Sequence, residues 1–78
     1  MTNIQLPPDP EGMNDSRAAC AGQAIHHFIL TTGTDKEGAL ADLLTDILHW
    51  CDRQPVSFDR ELARARDHYE AETTGRPA

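Results

Sequence analysis

The sequence predicts an all-α domain: a three-helix bundle with an extended N-terminal arm, its second and third helices forming an antiparallel hairpin. Apolar residues recur at helical spacing from Thr34 to Tyr69, and no segment alternates with the period of two that marks a half-buried strand. Gly33 and Pro55 cut the apolar stretches into helix-length pieces.

The arm comes first. In residues 1–13, Pro7, Pro8 and Pro10 exclude a regular helix and disfavour a central strand, so a flexible segment is expected. The first helix is expected over Arg17–Thr31, with Asn14, Asp15 and Ser16 as good N-cap residues and Gly33 placed to end it. Ala21, Ala24, Ile25, Phe28 and Ile29 share one side of it. Its first half is built of small residues, which permits close approach of another helix.

The second helix carries a capping-box pattern at Thr34 and Glu37, and Asp35 suits the positive end of the helix dipole. Its body, Ala39–Cys51, has apolar residues at Leu40, Leu43, Leu44, Ile47, Leu48, Trp50 and Cys51. That stripe is wider than contact with one neighbour requires, so two contact surfaces are expected, one of them on another subunit. Pro55 forces Gln54 out of helical conformation and stops the helix. The third helix follows with Ser57 as N-cap and a narrow stripe of Phe58, Leu62, Ala65 and Tyr69. The organisation is thus an arm at 1–13, a helical domain at 14–72 and a disordered tail at 73–78. The expected core is Ile25, Phe28, Leu40, Leu43, Leu44, Ile47, Leu48, Phe58, Leu62, Ala65 and Tyr69.

Composition bounds the function. A chain of 78 residues forms one domain with a thin core, so a homodimer is expected. Thirteen acidic side chains against seven basic ones give a net charge of −6. This opposes direct nucleic-acid binding and suits a protein partner with a basic surface. No apolar stretch approaches the ~20 residues that span a bilayer, and no basic segment precedes an apolar run as in a signal peptide. Cys20 and Cys51 lack metal-ligand spacing and are expected as buried free thiols in a reducing cytoplasm.

The candidate site residues lie on the second and third helices. Asp42, Asp46 and His49 recur at i, i+4 and i+7, and Asp52 extends the line. With Trp50 and the Glu70–Glu72 end of the third helix they form the expected partner-binding set. Asp46 and His49, three residues apart, resemble half of a metal site in a helical bundle, and a metal-dependent hydrolase using Asp42, Asp46, His49 and His68 is the alternative. Neither a resident metal nor a cofactor is expected, because the remaining ligands of such a site are not evident. His26 and His27 point about 100° apart and cannot share one ion. Glu37, Asp42 and Asp46 fall short of the paired acidic motifs of helical nucleotide pyrophosphohydrolases. Arg60 and Arg64 would be the phosphate contacts of a third reading, an oligomeric sponge for a small nucleotide. A helix-turn-helix is disfavoured because Arg60, Arg64 and Arg66 are interleaved with Asp59, Glu61, Asp67, Glu70 and Glu72. No glycine-rich phosphate loop and no nucleophile with a base and an orienting group is recognisable, so no catalytic residue is assigned.

The run DLLTDILHWCDRQPVSFDRELARARDHYEAE, Asp42–Glu72, resembles a segment of short helical accessory proteins of phages, prophages and other mobile elements. The resemblance rests on DLLTDILHW followed by FDRELARARDHY, which are mainly helix-packing positions. It implies a small helical accessory protein of a mobile element and transfers no catalytic residue. Small acidic proteins of that origin are often inhibitors of host defence systems, so a non-catalytic inhibitor of a CRISPR-type nucleic-acid-binding complex in the host cytoplasm is expected.

Overall fold

The computed structural model describes residues 6–74, and within them the chain is all-α: α1 (Met13–Thr32), α2 (Ala39–Arg53) and α3 (Phe58–Thr74). The expectations for residues 1–5 and 75–78 lie outside the described residues.

α1 begins four residues earlier than expected, and the reason is Asp9. Its two carboxylate oxygens accept the backbone N–H groups of Asn14 and Asp15, each at 3.0 Å. The arm therefore caps the helix from outside, and Asn14, Asp15 and Ser16 are helical residues rather than caps. At the other end Gly33 adopts φ 73° and its N–H bonds to the Ile29 carbonyl at 2.8 Å. This is the left-handed stop that a glycine permits without steric cost.

α2 does not use the Thr34–Glu37 capping box. Its N-cap is Gly38, with no side-chain cap bond. Asp35 accepts the Gly38 N–H at 2.7 Å, and the Thr34 hydroxyl donates to the Asp42 carboxylate instead. Residues 34–38 thus form a turn held by short side chains, a conformation that Asp and Thr offer in competition with the helix. Ser57 behaves as expected: its hydroxyl oxygen accepts the Arg60 N–H at 3.2 Å at the start of α3. Thr73 and Thr74 belong to the last turn of α3, where their hydroxyls donate to the Tyr69 and Glu70 carbonyls at 2.8 and 2.7 Å.

The packed pair is α1 and α2. Ile25, Phe28 and Ile29 on α1 and Leu43 and Ile47 on α2 are half-buried, and Ala39 and Cys51 are the buried apolar residues among those described. α3 follows α2 through a tight turn, in which Val56 N–H bonds to the Cys51 carbonyl at 3.0 Å. It packs less closely on α2 than an antiparallel hairpin would. Its far end is tied to the start of α1 instead: Asn14 Nδ2 donates to the Glu72 carbonyl at 2.9 Å, and Arg17 pairs with the Glu72 carboxylate at 3.2 Å.

The expected core is therefore corrected. Leu40, Leu44, Leu48, Leu62, Ala65 and Tyr69 are exposed, because each helix has a covering neighbour along only part of its apolar stripe. Cys20 is likewise exposed rather than buried. The Cα radius of gyration is 14.8 Å, against about 11.5 Å for a compact chain of this length.

Candidate functional site

The acidic residues of α2 take their places from helix geometry. At 100° per residue, Asp42, Asp46, His49 and Arg53 fall within a sector of about 60°. All four are exposed. The Arg53 guanidinium donates to the His49 carbonyl one turn back, at 3.0 Å, which sets a positive charge beside His49.

Trp50 lies about 40° beyond Asp46, at the border between this side and the side packed on α1. It is 56% exposed. An indole that open on a folded surface is a common anchor for a protein partner, with the surrounding charges forming a rim.

The N-terminal end of this side meets α1. Phe28, Thr32, Gly33, Thr34, Asp42, Thr45 and Asp46 line an open cleft of about 390 Å³. Threonine hydroxyls furnish much of its polar lining, and two of them are already spent on carbonyls: Thr32 on Phe28 and Thr45 on Ala41, both at 2.8 Å. The cleft is open and presents threonine hydroxyls and the carboxylates of Asp42 and Asp46.

The expected binding set is not one patch. Asp42 lies by the C-terminal end of α1, through its bond from Thr34, whereas Glu72 lies by the N-terminal end, through Arg17 and Asn14. Those ends are separated by roughly 30 Å along the 20-residue α1 axis. Glu72 holds helices together rather than standing free. Glu70 shares its end of the chain, and Asp52 turns about 60° away from His49 on the side opposite Trp50. The structure brings together Asp42, Asp46, His49 and Trp50, and leaves Asp52, Glu70 and Glu72 outside that group.

Among the described residues, no three His, Cys, Asp or Glu side chains converge as metal ligands. Asp46 and His49 thus find no partners from α1 or α3, and His68 is on another helix. Of the two arginines considered for phosphate, Arg64 points to Glu61, with its Nη1 at 3.3 Å from Oε2. No helix among the described residues is long and apolar enough to cross a membrane.

A second cleft, of about 410 Å³, was not anticipated from sequence. Leu6 and Pro7 of the arm form one wall, Tyr69 and Thr73 of α3 another, and Arg17 and Ala18 of α1 the floor. The signal available was Leu6 within a proline-rich arm, which has no helical periodicity to place it.

No family model matches the chain, and neither curated proteins nor solved structures show a match to it.

Proposed function

We propose that the protein is a non-catalytic binding module that engages a basic protein surface through the exposed side of α2. The observation that supports this is the grouping of an open Trp50 with the carboxylates of Asp42 and Asp46 on one helix. The indole supplies apolar area and the carboxylates supply steering and register. A net charge of −6 favours a partner whose own surface is basic. Surfaces of that kind line the nucleic-acid grooves of nucleases. The resemblance of Asp42–Glu72 to mobile-element accessory proteins, which often act against host defence, favours a CRISPR-type complex of the host cell as that partner.

The test is interferometry against purified nucleic-acid-binding defence complexes, with and without competing DNA. Wild-type protein binds and DNA displaces it. Charge reversal at Asp42→Lys with Asp46→Lys weakens binding at least about tenfold, and Trp50→Ala does the same. Binding that ignores all three substitutions refutes the assignment to this side of α2.

A further inference from the structure

α3 is held to the rest of the chain at its two ends. At its start Phe58 is half-buried beside the turn of residues 54–57. The helix is then exposed throughout Asp59–Glu70, and half-burial returns at Ala71 and Thr73. Apolar packing does not fix that far end. Leu6 and Tyr69, on two walls of the cleft of about 410 Å³, are 78% and 62% exposed.

A polar latch fixes it instead. The Glu72 carbonyl belongs to the last turn of α3, where carbonyls lack an intrahelical donor. Asn14 Nδ2 of α1 donates to it at 2.9 Å. The last turn of α3 carries no basic residue. Arg17 of α1 supplies the positive charge that this end of a helix dipole favours, through its pair with Glu72 at 3.2 Å. Arg17 Nη1 also donates to Asn14 Oδ1 at 2.7 Å, which ties the two α1 side chains together. Asp9 in turn pins the Asn14 backbone N–H. The arm thus caps α1, and α1 caps α3.

We propose that α3 is a latched, hinged element: it releases as a unit about residues 54–57 while α1 and α2 stay packed, and the arm governs the release through Asp9. Latch bonds open to water are individually weak. A freed 17-residue helix with a narrow apolar stripe is marginal in water, so release exposes its amides. The packing of α1 on α2 is made without α3 and survives. The acidic side of α2 keeps its place in both states, so this inference is independent of the binding role proposed above.

Hydrogen exchange of the full chain, followed by NMR, tests it. Asn14→Ala removes the side-chain bond and keeps the N–H that Asp9 accepts, and it speeds exchange at Leu62–Tyr69 about fivefold. Asp9→Ala speeds the same α3 amides about threefold or more, although its carboxylate bonds to α1. Ile47→Val speeds Leu43–Ile47 several-fold and leaves α3 unchanged, because α3 opens without disturbing that packing. Should the variants fail to fold, the wild type in low urea decides. Leu62–Tyr69 then share one shallow urea slope, smaller than that of Leu43–Ile47, because release exposes little surface. Exchange in α3 that ignores Asn14→Ala or Asp9→Ala, that rises with Ile47→Val, or that shows no urea slope or the slope of Leu43–Ile47 would each overturn the proposal.

Discussion

Asp9 shows how much of this fold depends on single polar side chains. It lies in the proline-rich arm, yet its carboxylate satisfies two of the amides left open at the start of α1. Asp9→Ala should cost about 1–2 kcal/mol. At fixed protein concentration that lowers Tm by at least about 4 °C, as measured by circular dichroism. Gly33→Ala meets a different obstacle. Nothing crowds the position, but φ is 73°, so an alanine there pays about 1 kcal/mol of backbone strain. Glu72→Gln tests the tie between α3 and α1. The Asn14 side chain bonds to the Glu72 carbonyl, which the substitution keeps, so only the Arg17 ion pair is lost. Partial exposure holds that loss to within about 1 kcal/mol, and urea midpoints of the two proteins should nearly coincide.

At the scale of the elements, three helices were legible because apolar spacing, Gly33, Pro55 and Ser57 all agree on them. Starts were less legible than stops. Asp9 is remote from the residues it caps, and Thr34 chose the Asp42 side chain over a capping box. Spacing also revealed the stripes without saying what covers them. Leu43 and Ile47 face α1, while Leu40, Leu44 and Leu48, from the same stripe, remain outside. The candidate site was legible where one helix determines it, at Asp42, Asp46, His49 and Trp50. It was not legible at Glu72, whose partners come from α1, far away in sequence. α3 makes the slightest packing of the elements, as its residues from Asp59 to Glu70 are all exposed. Its central amides should therefore exchange with solvent faster than those of Leu43–Ile47, by tenfold or more, in hydrogen exchange followed by mass spectrometry.

For the molecule as a whole, openness is the property on which the proposed binding role rests. Helices that each cover only part of a neighbour leave apolar and acidic surface facing outward. α2 is the centre of this arrangement. One of its sides packs on α1, a second presents carboxylates and Trp50, and a third presents Leu40, Leu44 and Leu48. Electrostatic engagement through the second side should weaken as salt rises, because exposed charges are screened within about 8 Å at physiological ionic strength. Interferometry of the wild type against a purified nucleic-acid-binding defence complex, run in low and high salt, tests the acidic side most directly. The account predicts binding that falls as salt rises and is weakened at least about tenfold by Asp42→Lys with Asp46→Lys. Binding that neither salt nor the charge reversal changes would contradict it.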